Sequence, residues 1–317
     1  MSGQQGSVST ARSYYGRPVL KEPTWKAADI AGYLFLGGLA GASAVLGAGS
    51  DLTGRPQLAR ASKCAAAGAI TLSTAALVHD LGRPSRFVNM LRVFKPTSPM
   101  SVGSWLLAGF GPAAAVAAAT DLTGLVPRAG RAAGLTAAVL GAAVSSYTAV
   151  LVADTAVPAW HDAHRVLPFV FVGSSTASAG GFGLLAAPPA ETAPARRAAV
   201  AGALAELVTV RLMRRRAGMV AEAYESGRAG RLMKIAEALT VSGAAGAAVG
   251  SRRSRAVGAA SGLALLAGSA LTRLGIFEAG RASARDPKFT VEPQRERAQA
   301  GRLTGQDNLG STAGPTP

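Results

Sequence analysis

The sequence predicts an all-α, polytopic membrane protein of about eight transmembrane helices packed as two four-helix bundles. Three observations carry that expectation. Hydrophobic residues make up 49% of the 317 positions and charged ones only 16%, where soluble domains carry about 25% charged residues. Mean hydropathy is positive, at +0.26. The charges are also clustered between apolar runs of about 20 residues, the length that crosses roughly 30 Å of hydrocarbon.

The runs fall at 29–50, 64–82, 101–120, 132–154, 166–186, 198–213, 235–250 and 256–276. They define a transmembrane domain over 29–276, preceded by a polar segment over 1–28 and followed by a polar tail over 277–317. The first run contains Gly37 and Gly41, the seventh Gly246 and Gly250, and the eighth Gly258 and Gly262. Small residues four apart let helix backbones approach closely. The sixth and seventh runs are short and need tilt or flanking residues to cross. After the first and third runs come DLTGRP (51–56) and DLTGLVP (121–127), which read as the turns of two helical hairpins built alike. The opening MSGQQGSVSTARSYYGRP is polar, so the first run is expected to act as its own insertion signal.

Charge and sulfur content narrow the function classes. The net charge is +16, but the basic residues sit between apolar spans. They therefore read as topology signal and lipid-headgroup contact rather than nucleic-acid binding. Eight crossings put both termini on one side, which holds more than two thirds of the 33 Lys and Arg. That asymmetry predicts cytoplasmic termini. Cys64 is the single cysteine, so a disulfide framework, a zinc site or an iron–sulfur cluster on this chain is not expected. Of three histidines only His79 lies in a run. A membrane haem needs axial histidines on facing helices, so the chain is expected to be haem-free and metal-free.

Polar groups inside membrane spans are costly and mark candidate sites. Following the chain back and forth brings many of them to one face: Asp29 and Tyr33 from the first run, His79 and Asp80 from the second, Tyr147 and Asp154 from the fourth. The connection that follows adds Trp160, His161, His164 and Arg165. Each has a simpler reading as well. In HDLGRP, Gly82 and Pro84 are helix-stop residues, Tyr147 suits an interfacial anchor, and the loop histidines suit solvent. Asp80 is harder to dismiss, because a carboxylate at a helix C-terminus opposes the dipole and needs a cation, for which Arg83 is the nearest candidate. Glu206 lies within the sixth run and Glu237 early in the seventh, and both are candidates for a proton path.

HDLGRPSRFVNMLRVFKPTSPMSVGSW (79–105) closely resembles the signature of the NrfD/polysulfide-reductase membrane-subunit family. YLFLGGLAGASA (33–44) is similar to that family's first span, and YTAVLVADTAVPAWHDAHRVLPFVF (147–171) to its fourth span and following loop. SARDPKFTVEPQRER (283–297) looks like the tail of actinobacterial members found beside formate-dehydrogenase-like subunits. The resemblance implies a haem-free quinone-binding anchor with an eight-helix core in a bacterial plasma membrane. It also implies a four-cluster ferredoxin-like partner and a molybdopterin catalytic subunit, with menaquinone as the expected quinone. By motif match the quinone site would use Tyr147 and Asp80, with His79, Arg83, Tyr33 and Asp154 around them. At the first-span entrance it would use Asp29 or Glu22, where the family pattern departs. Arg86, Arg92, Lys95, Trp160, His161 and His164 would face the partner. Two other classes compete: an ion or solute transporter using the buried carboxylates, and a purely structural anchor.

Overall fold

The computed structural model describes residues 20, 25–82, 84–251 and 254–291. Eight long helices form the body: α1 Ala27–Leu52, α2 Pro56–Leu81, α3 Pro99–Thr123, α4 Pro127–Ala153, α5 Leu167–Ala186, α6 Ala193–Arg216, α7 Gly227–Ala245 and α8 Arg255–Arg285. A π-helical turn, Gly246–Gly250, extends α7. Short helices at Pro84–Met90 and Pro158–Asp162 fill two connections. No strand occurs among the described residues.

Helix boundaries run beyond the apolar runs because caps, not hydropathy, end a helix. Pro56, Pro99 and Pro127 open α2, α3 and α4, the position where proline's missing N–H costs nothing. Gly82 and Gly124, both left-handed, end α2 and α3. At the far end, residues 277–285 continue α8 rather than joining the tail, since Phe277 and Ala279 are fully buried. The rest of the expected tail, 292–317, and most of the N-terminal segment lie outside the described residues, as do Glu22 and Arg83.

Seven of the eight helices are long and apolar enough to cross a membrane; α6 is the exception. Arginines crowd both of its ends (Arg196, Arg197, Arg211, Arg214, Arg215 and Arg216), and Glu206 sits between them. Packing places α6 nonetheless. It lies antiparallel along all of α5, with Gly173 against Glu206, Gly180 against Ala199 and Gly183 against Ala195. It thus returns the chain to the end of the bundle where α5 began.

The helices pack as two groups of four, α1–α4 and α5–α8, joined by contacts of α1 and α4 with α5 and of α1 with α8. Close approach is set by bare glycines at crossings. Gly41 meets the backbone of Gly141, and Gly181 that of Gly262; a methyl group at either would collide with the facing helix. Gly41 and Gly262 belong to the small-residue pairs expected from the sequence.

The two DLTG turns are structural counterparts. Gly54 and Gly124 take the same left-handed conformation (φ 68° and 72°). Asp51 and Asp121 close on one cation, the Nζ of Lys63, at 2.6 and 2.9 Å, and Arg60 holds Asp121 at 2.9 Å. Counting from Pro56 and Pro127, the α4 counterpart of Lys63 is Gly134, whose missing side chain faces the Lys63 stem. One hairpin thus supplies the lysine and the other the space. Lys63→Met is expected to leave two partly buried carboxylates facing each other. The cost should be about 2 kcal/mol, below the ~3–5 kcal/mol of a fully buried broken pair, and is read as a lower thermal unfolding midpoint in detergent.

Candidate functional site

At the end of the first bundle away from the DLTG turns, the N-terminus of α1 meets the C-termini of α2 and α4. Asp80 Oδ1 accepts the backbone N–H of Lys26 at 3.2 Å, so the carboxylate at the end of α2 faces the start of α1. The positive end of one helix dipole compensates what the negative end of the other would penalise. This is the compensation the sequence reading assigned to Arg83, a residue outside the described set. Arg86 takes another task there, donating to the Leu81 carbonyl at 3.0 Å and capping α2.

Tyr33, Asp80 and Tyr147 line one pocket, with Trp25, Met90, Met100 and Gly103 on its walls. Tyr147 donates its hydroxyl to the Pro99 carbonyl at the start of α3. Its ring packs against Gly103, where a Cβ would collide with it. The hydroxyl of Ser73 donates to the Tyr33 carbonyl at 3.0 Å and fixes the α1–α2 contact behind the pocket. Gly103→Ala is expected to displace the Tyr147 phenol without unwinding α3. Tyrosine fluorescence is too shared to report that motion, so the check is a crystal or cryo-electron-microscopy map of the variant showing the ring moved from Pro99.

His79 and Asp29 stand beside the pocket rather than in it. They pair at 2.8 Å (Nδ1 to Oδ2) across the α1–α2 corner, with the imidazole largely exposed. Asp154 is exposed at the C-cap of α4 and does not line the pocket. His161 and His164 are exposed neighbours with ring centroids 5.7 Å apart. Arg92 and Lys95 are exposed on the connection before α3.

Trp160 departs from its expected docking role, because it is fully buried. Its indole Nε1 donates to the Ile276 carbonyl at 2.8 Å, and its ring stacks on Trp25 at 6.1 Å. Gly280 leaves the space it fills. Tyr224 donates to the Ala159 carbonyl at 2.5 Å, and Ser283 accepts the Ala159 N–H at 3.2 Å. Burial, with Asp162 nearby, pushes the Tyr224 phenol well above its usual range, so it stays a donor at any physiological pH. Trp160 therefore locks the 158–162 helix onto α8, and through Trp25 it braces the pocket wall.

The two glutamates expected on a proton path separate. Glu237 is held at the surface of α7 by Arg211 at 3.0 Å and Arg214 at 3.5 Å. Glu206 is buried in the second bundle, accepting from Thr272 Oγ1 at 2.7 Å through Oε1, while Oε2 has no hydrogen-bond partner among the described residues. Arg273, fully buried, lies in the same interior. It donates to the Phe171 carbonyl and Ser175 Oγ, both at 2.9 Å, and sits 4.1 Å over the Phe171 ring. Arg273 was missed at the sequence level although its signal was present, as a lone arginine in the apolar run LALLAGSALTRLGIF. Trp25 and Gly103 carried no such signal.

No group of three or more His, Cys, Asp or Glu placed to hold a metal ion occurs among the described residues. The family model described as "Polysulphide reductase, NrfD" matches residues 21–243, a stretch that contains the whole pocket and both DLTG hairpins. The chain belongs to the NrfD family. No individual curated protein matches it. NrfD membership makes it a membrane subunit of a quinone-interacting oxidoreductase complex.

Proposed function

We propose that this NrfD chain is the haem-free, quinone-reactive subunit of a molybdopterin/iron–sulfur oxidoreductase, exchanging electrons and protons with membrane menaquinone. The supporting observation is that Tyr33, Asp80 and Tyr147, from three helices, line one mostly apolar pocket. Converting a quinone to a quinol takes two electrons and two protons. The electrons come from a cluster on a four-cluster ferredoxin-like partner, itself supplied by the molybdopterin subunit. The protons enter at the two carbonyl oxygens. Tyr147 turns its hydroxyl from Pro99 to one of them, and Asp80, with Oδ2 not engaged by Lys26, serves the other.

The space present is about 80 Å³, less than the ~150 Å³ that admits a benzene ring. The headgroup therefore enters by displacing wall side chains, and Met90 and Met100 are the flexible ones. The exposed His79–Asp29 pair at the corner exchanges protons with water. Arg86, Arg92, Lys95, His161 and His164 form the docking face for the iron–sulfur subunit, which we place with the termini on the cytoplasmic side.

Glu206 is the carboxylate we retain on a proton path. Arg273 and Ser175 reach the α1 backbone at Gly38, and Ser73 and Thr148 reach it at the adjacent Gly37. Polar side chains thus run from Glu206 to the back of the pocket. Titration of the purified protein with a fluorescent quinol analogue tests the assignment. Saturable quenching competed by menaquinone is expected, and unsaturable quenching indifferent to menaquinone would overturn it.

A further inference from the structure

We propose that the crevice between the two bundles, at the DLTG end of the molecule, binds one anionic phospholipid. The crevice encloses about 500 Å³, within the range of sites that hold amphipathic small molecules. Its walls come from α1 and α4 on one side and from α5 and α6 on the other, and are almost entirely apolar, with Val45, Ala142, Val172 and Ala179 along its length. Val45 and Val172 are 44% and 38% exposed, so no side chain among the described residues fills the seam.

Charge appears only at one end, where Arg55 and Arg197 stand on opposite walls; farther in, Ser145 and Thr176 spend their hydroxyls on carbonyls of their own helices. Arg55 donates one N–H to the Thr53 carbonyl at 3.1 Å. Arg197 is exposed and makes no hydrogen bond or ion pair among the described residues. Glu191, in the connection before α6, accepts the Leu58 N–H at 3.0 Å. Two guanidinium groups facing a common mouth suit a phosphodiester, which offers several acceptor oxygens and one negative charge.

Depth selects the rest of the ligand. From Ala42 to Leu52 the α1 wall rises roughly 15 Å at 1.5 Å per residue, which is half of the ~30 Å hydrocarbon thickness. A chain running inward from the arginines therefore ends near the midplane, as an acyl chain of a single leaflet does. The lipid fills the seam that side chains leave open and holds the two bundles together. Its arginine mouth lies at the opposite end of the molecule from the Tyr147 pocket and the two share no lining residue, so the inference stands whether or not that pocket takes quinone.

The test is titration of the delipidated full-length chain with phosphatidylglycerol or phosphatidylcholine, read by native mass spectrometry and by Tm. We expect one phosphatidylglycerol per chain, bound in preference to phosphatidylcholine. Binding should weaken about fivefold in Arg55→Gln or Arg197→Gln and about 25-fold in the double variant, from ~1 kcal/mol per basic residue. Lys234→Gln, which removes an exposed charge elsewhere, should bind as wild type, and Val172→Trp should lose the lipid by filling the crevice. Equal retention in the double variant, or no preference over phosphatidylcholine, would overturn the proposal. So would inorganic phosphate raising Tm as much as the lipid does, since the arginines would then hold a bare anion.

Discussion

Tyr147→Phe is expected to lower quinone-coupled turnover of the assembled complex by about 100-fold, the lower end of what a positioned proton donor contributes. The substitution removes one oxygen, which bonds the backbone at Pro99 and Gly103. The ring, its packing over Gly103 and its place in the pocket wall stay as they are. Electron delivery into the iron–sulfur subunit, measured with a soluble dye as acceptor, should be unchanged, and so should assembly with the partner. A loss confined to KM would assign Tyr147 to binding alone. A wild-type rate with quinone would remove it from the site. Asp80→Asn is expected to behave similarly, with some loss of the bond to Lys26 N–H as an amide replaces a carboxylate.

Arg273→Met should destabilise the protein by roughly 3–5 kcal/mol, the cost of removing one partner from a buried charged group. The guanidinium is fully buried, and its bonds to Phe171 O and Ser175 Oγ tie α8 to α5. Without it, Ser175 and the Phe171 carbonyl lose their donor. Glu206 then loses its nearby cation and keeps hydroxyl partners such as Thr272 in an interior of low dielectric. Glu206→Gln in the same chain should recover part of the loss, because two neutral groups are cheaper to bury than one uncompensated charge. The measurement is the unfolding midpoint of single and double variants in one detergent. Additive losses would mean that the two side chains are energetically independent, despite sharing one interior.

Much of this architecture was written in the order of the residues. Apolar length and the scarcity of charge dictate membrane crossing, because unpaired backbone polar groups in lipid force a helix on each apolar run. The repeated DLTG turns announced the paired hairpins, and HDLGRP announced a helix stop beside an acid that lines the pocket. Packing decided two further points. Trp160, read as a docking residue in a polar loop, is the buried wedge between the 158–162 helix and α8. The acid at the end of α2 meets the N-terminus of α1, a partner 54 positions away.

Local chemistry therefore sets which segments are helices, where they end and which side chains are costly enough to demand a role. It does not set who answers that demand. Lys63 between two aspartates, Arg273 among serines and a phenylalanine, and Tyr147 over Gly103 are meetings of helices distant in sequence. They are decided by glycine-sized crossings that bring backbones together and by the low dielectric that makes every polar group seek a partner. Folding reveals the pocket and the lipid crevice for the same reason: both are spaces between helices, and a space has no residue of its own.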